Sequence, residues 1–103
     1  MVISYKKYGI AIQGAGIIRK FQFEGKNNVS GDRIRQLRVL ARLTQADLAA
    51  KMQTEGAIVE QDVISRIESG QRLVTDYELL VLTRIFDASA DWMIGADKGK
   101  PQG

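Results

Sequence analysis

The 103-residue sequence contains no cysteine and no histidine. Without cysteine there are no disulfides, thiolate metal sites or sulfur nucleophiles. Without histidine the commonest general base and the commonest metal ligand are missing. Catalysis is left to carboxylates, lysines and hydroxyls, and no enzyme and no cofactor is expected. There is one proline, so little interrupts helices from within. No apolar stretch is long enough to span a bilayer.

What is present is 45% hydrophobic residues, enough for one core, and a formal net charge of +3. The charge is unevenly placed. Residues 1–30 carry five basic side chains (Lys6, Lys7, Arg19, Lys20, Lys26) against one acid, Glu24, a net of +4. Residues 31–103 carry ten basic and eleven acidic groups, a net of −1. The high isoelectric point therefore belongs to the N-terminal segment, and bulk charge makes no case for nucleic-acid binding by the rest.

Residues 1–28 are rich in glycine, isoleucine and aromatics and show no helical period. Ile3-Ser4-Tyr5 and Arg19-Lys20-Phe21-Gln22-Phe23 alternate weakly, as edge strands do, with a turn available at Gln13-Gly14-Ala15-Gly16. A lone hairpin is marginal in water, so a weak β-hairpin and disorder stand as equal expectations. Lys6-Lys7 before Tyr8-Gly9-Ile10-Ala11-Ile12 has the opening of a signal peptide. The apolar run is too short, and no small-residue cleavage site follows. Gly14-x-Gly16 lacks the strand–helix context of a phosphate loop. The codons for Glu24-Gly25 can spell a ribosome-binding sequence, and that for Val29 can be GTG, a start codon. A chain beginning at position 29 is thus a further expectation, with residues 1–29 as an extension.

From Ser30 the pattern turns helical. Ser30 is placed to cap a first helix, with Asp32 in its first turn and Ile34, Leu37 and Ala41 inward. Thr44-Gln45-Ala46-Asp47 is a capping arrangement that starts a second helix at Gln45, with Leu48, Ala49 and Met52 apolar. Residues 53–59 read as a loop containing Gly56. A third helix is expected over 61–69, with Ile64 and Ile67 inward and Gly70 as its stop. Thr75-Asp76-Tyr77-Glu78 opens a fourth helix to about Phe86. Ser89 caps a short fifth, carrying Trp92 and ended by Gly95. Residues 96–103 read as a flexible tail.

Five short helices with a short link between the second and third are what a helix-turn-helix needs. One helix braces against the sugar-phosphate backbone, and the next enters the major groove. The brace needs a polar residue in its first turn, where Gln45 lies, and a small residue where the two helices meet, which suits Ala49.

Here the sequence resembles a family. Arg35-x-x-Arg38, then Leu43-Thr44-Gln45-Ala46-Asp47-Leu48-Ala49, then Ile64-Ser65-Arg66-Ile67-Glu68-Ser69-Gly70-Gln71-Arg72, is similar to the Cro/cI-type (Xre-like) helix-turn-helix domains of phage repressors. Glu78-Leu79-Leu80 and Asp91-Trp92 resemble the end of the same domain. The resemblance implies an all-α, five-helix, lambda-repressor-like domain over residues 30–95. It implies DNA contacts from Thr44 and Gln45 at the start of the second helix, and from Gln61, Asp62, Ser65 and Arg66 on the outer face of the third. Ser69 and Arg72, just beyond that helix, are implied backbone contacts. Gln61 suits an adenine edge and Arg66 a guanine edge. Arg38 and Glu68 match a pair that is structural in the family. Of the remaining arginines, Arg42 is the best placed to approach phosphate.

Two features depart from the pattern. Leu48 and Ile64 are sixteen positions apart, which lengthens the turn by about five residues over the usual short link, and Gln53 stands where the family places glycine. Glu60 and Asp62 put acids at the groove-facing end of the third helix. They favour a helix N-terminus but repel phosphate, although an aspartate can accept from a cytosine amino group.

The expected function is a sequence-specific regulator, a repressor of phage or mobile-element type. It would sit on the nucleoid in the cytoplasm, away from membranes, as a homodimer on an inverted repeat of double-stranded DNA. The rivals are an antitoxin or other interaction module, whose basic segment would hold a toxin partner, and a carboxylate hydrolase. The hydrolase ranks last because the acids are spread over helix caps and outer faces.

Overall fold

The computed structural model describes residues 23–101. Five helices follow one another: α1 (Gly31–Leu40), α2 (Gln45–Thr54), α3 (Gln61–Glu68), α4 (Asp76–Phe86) and α5 (Ala90–Met93). Among the described residues there is no strand, only an isolated bridge between Phe23 and Lys26. The fold is all-α, as expected. The hairpin or disorder expected further upstream falls on residues 1–22, outside the described residues.

The helix starts are local chemistry. At α2 the Asp47 amide donates to Thr44 Oγ1 (3.0 Å) and the Thr44 amide to Asp47 Oδ2 (2.9 Å). The same reciprocal box opens α4 between Thr75 and Glu78, at 3.2 and 3.0 Å. Each satisfies two amides that a helix start leaves without intrahelical partners. Ser89 caps α5 by accepting from the Trp92 amide at 3.1 Å.

Ser30 departs from expectation. It occupies the N-cap of α1, but its backbone lies in the helical region and its hydroxyl makes no cap bond. A working cap needs an extended backbone to aim the oxygen along the axis. Asn28 does the work instead: its Oδ1 accepts from the Gly31 amide at 2.8 Å, and its Nδ2 donates to the carbonyls of Ile67 (2.9 Å) and Arg72 (2.8 Å). The Asn27 amide donates to the Gly70 carbonyl at 2.8 Å, and Asn27 Nδ2 to that of Gln71 at 2.7 Å. The packed unit therefore includes residues that the expected boundary at Ser30 leaves in the extension. A chain beginning at position 29 would lack both asparagines. Gly31 is required where these contacts meet, since a Cβ there would collide with the Ile67 carbonyl.

The core draws on every helix: Ile34 and Leu37 from α1, Leu48, Ala49 and Met52 from α2, Ile64 and Ile67 from α3, Val81 and Leu82 from α4, and Trp92 and Met93 from α5. Ala41 lies outside it. It is exposed as the C-cap of α1, because the chain leaves the helix there through Arg42, whose φ is +59°. α3 packs between α1 and α2, α4 lies against α2, and α5 closes on α4. Beyond α5 the chain folds back: the Ser89 amide donates to the Pro101 carbonyl at 2.8 Å and Arg33 to the carbonyls of Trp92 and Asp97. Residues 96–101 are thus fastened where a free tail was expected. The Arg33 guanidinium also lies over the Trp92 ring, 4.8 Å from its centroid, a cation–π contact.

Candidate nucleic-acid interface

The first side chain of α2 bridges both ends of α3. Gln45, the first residue of α2, donates through Nε2 to Glu68 Oε1 at 3.1 Å. Its Oε1 accepts from Nε2 of Gln61, the first residue of α3, at 3.3 Å. Glu68 is buried and also takes a two-pronged bond from Arg38, Nε to Oε2 at 2.6 Å and Nη2 to Oε1 at 2.9 Å. A third Arg38 nitrogen reaches the Leu43 carbonyl at 2.9 Å. The Arg38 pKa is raised, first by its hydrogen bond to Glu68. One buried ion pair thus ties α1 to α3, holds the chain entering α2, and orients an amide on the outer surface. The structural role expected for Arg38 and Glu68 is what the geometry gives, whereas the link from Glu68 to Gln45 had no signature in the sequence.

The outer face of α3 carries Gln61, Asp62, Ser65, Arg66 and, at its C-cap, Ser69, all exposed. Ile64 and Ile67 fill the opposite face. The helical period separates the two sets without exception. Arg66 and Asp62 form an i, i+4 ion pair at 2.7 Å. So exposed a pair adds little stability, but it limits where the guanidinium points. Thr44 Oγ1 is engaged by its capping box. The Asp47 carboxyl is held below its ordinary pKa, first by the Thr44 amide and then by the Thr44 hydroxyl. Arg42 lies exposed two residues before Thr44.

Arg72 is placed differently from the other expected contacts. Its guanidinium turns inward, donating to Glu78 Oε1 (2.9 Å) and Oε2 (3.1 Å) and to the Leu73 carbonyl (2.8 Å). Glu78 is buried. Burial pushes its carboxyl up, but the bonds from Arg72 and from the Thr75 amide outweigh this and leave the pKa below its ordinary value. Seven of the eight expected site residues therefore lie at the start of α2 or on the outer side of α3, and the guanidinium of the eighth fastens α4 behind α3.

The link between α2 and α3 is shorter than the sequence indicated, because α2 runs on through Gln53 and Thr54. Gln53, which stands where a glycine ends the helix in the resembled family, continues it, and the reversal falls to Gly56 at φ +94°, a backbone that glycine adopts at little cost. Gln53 Nε2 then donates to the Val59 carbonyl at 2.6 Å, and the Ala57 amide to the Met52 carbonyl at 2.9 Å. Ala57 and Val59 are buried, so the lengthened turn is anchored at both sides.

A model of the helix-turn-helix domain family matches residues 31–92. The chain belongs to this family. No curated protein and no solved structure matches it. The match runs from the first residue of α1 into α5, in agreement with the Cro/cI-type resemblance read from the motifs. Family and fold together mark a helix-turn-helix DNA-binding regulator. Among the described residues no helix is long and apolar enough to cross a membrane.

Proposed function

We propose that this protein is a sequence-specific repressor that reads operator DNA with α3 and braces on phosphate with the start of α2. The observation that carries the reading is the Gln45–Gln61 contact, backed by the buried Arg38–Glu68 pair. A specific reader must hold its base-contacting and phosphate-contacting groups in one fixed relation, and this network does so before DNA arrives. Gln45 and the free amides of the α2 first turn hold one phosphate. Gln61, Ser65 and Arg66 face base edges, with Asp62 setting the reach of Arg66. Ser69 and Arg42 flank the groove on the backbone.

The domain adds little net charge to attract DNA, so its binding depends on these placed groups more than on bulk electrostatics. One α3 reads only a few base pairs, too few to find a site in a genome. The active species is therefore a homodimer on an inverted repeat with half-sites about one helical turn apart. Selection from a random-sequence duplex pool tests this. The reading predicts enrichment of a palindrome with that spacing; recovery of unrelated sequences after repeated rounds contradicts it.

A further inference from the structure

Ile58 is 88% exposed, the most of any large apolar side chain among the described residues. Single exposed apolar residues are ordinary on protein surfaces, so exposure alone carries no meaning. What sets Ile58 apart is how it is held. Ala57 and Val59 on either side are 0% and 1% exposed, the Ala57 amide is bonded to Met52, and the Val59 carbonyl to Gln53. Burial alternates from Ala57 to Glu60, with both neighbours of Ile58 inward and Ile58 and Glu60 outward, the alternation of an extended chain. Ile58 therefore cannot fold down onto the core, and the turn presents it as a fixed apolar knob three residues ahead of Gln61.

The exposed side chains of α3 are amide, carboxylate, hydroxyl and guanidinium. They can read hydrogen-bonding edges in the major groove but leave its apolar feature, the C5-methyl of thymine, without a partner. Ile58 leads directly into that helix. Its β-branch leaves it few rotamers to lose. We infer that Ile58 is a specificity-determining residue that packs against a thymine methyl at the edge of the half-site read by α3. The lengthened turn is then part of the reading surface and not merely a spacer. This inference rests on the DNA-reading function proposed above.

The test uses the full chain and the duplex it selects from random DNA, resynthesised with deoxyuridine for thymidine at each half-site position in turn. That exchange removes only the methyl group. At one thymine the wild-type protein should lose about fourfold in affinity, as loss of one buried methyl contact implies. Ile58→Ala, its folding checked by circular dichroism, should bind the thymidine duplex about as weakly and show no further loss with deoxyuridine there. Equal wild-type affinity for both duplexes at every position overturns the inference, as does Ile58→Ala binding like wild type, which would leave the side chain to a protein partner. An Ile58→Ala variant still sensitive at every position where wild type is sensitive also overturns it. In each of these cases the DNA-reading function stands. If the wild type selects no sequence, that function itself fails and the inference with it.

Discussion

Arg72 and Glu78 separate two roles that an arginine beyond a recognition helix can play. In the structure the Arg72 guanidinium neutralises a carboxylate whose side chain is 1% exposed. Arg72→Ala should therefore destabilise the fold by about 2–3 kcal/mol, somewhat less than stranding a charge from a fully buried pair costs, since Arg72 itself is one-third exposed. Urea unfolding measures the loss. If Arg72 instead served mainly as a phosphate contact, the variant would keep its stability and bind DNA with a shallower salt dependence. The Glu78 pKa adds a pH signature. It is lowered in the folded state, so its stabilisation is complete above the unfolded value of about 4.3 and is lost as pH falls through the folded value. Glu78→Gln should flatten the decline in melting temperature over that acid range. An unchanged decline would show that other carboxylates control it.

Among the elements, the turn between α2 and α3 carries the clearest consequence. Its exit is held by a side-chain bond from Gln53 to the Val59 carbonyl, two residues before α3. Gln53→Ala should cost about 1 kcal/mol of stability and lower the ratio of specific to random-duplex affinity by more than it lowers random-duplex affinity. Equal weakening on both duplexes would mean that the turn does not set the pose of α3. The elements also show what a sequence can reveal. Capping boxes at Thr44 and Thr75 act over three residues, and Ile64 and Ile67 follow a period of one helix, so the helices and the outward set on α3 were legible. Asn28 was not, because its partners Ile67 and Arg72 lie 39 and 44 positions away and nothing local to Asn28 announces them. The inward turn of Arg72 was hidden for the same kind of reason. Its partner lies across a loop, and the acid of a capping box gives no sign that it is buried. The last two residues of α2 were missed because Gln53 and Thr54 suit a helix end and a loop equally well.

For the whole molecule, the N-terminal boundary matters most. Asn27 and Asn28 fasten the chain to the carbonyls at and just beyond the end of α3, on the side away from its exposed face. A protein beginning at Phe23 retains them; one beginning at Val29 loses the five hydrogen bonds of these two asparagines, together with the exposed Lys26–Asp32 ion pair. The second should be less stable than the first by roughly 2.5–5 kcal/mol, taking each of the five bonds, the helix cap included, at about 0.5–1 kcal/mol. Equal melting temperatures would mean that Ser30 can take over the cap. The charge asymmetry also acts at this scale. The described domain is nearly neutral, so its DNA affinity should arise from placed contacts, and residues 1–22 should add a sequence-independent increment that high salt removes.

On the function proposed for this protein, α3 reads bases while the start of α2 holds phosphate. Fluorescence anisotropy of the full chain on the DNA upstream of its own gene, against random duplex, tests it most directly, with Arg66→Ala and Gln45→Ala alongside. The wild-type protein should prefer the upstream DNA at least ~10³-fold, Arg66→Ala should lose that preference, and Gln45→Ala should bind both duplexes more weakly in parallel. Weak binding that is equal on both duplexes and disappears when residues 1–22 are removed would contradict it.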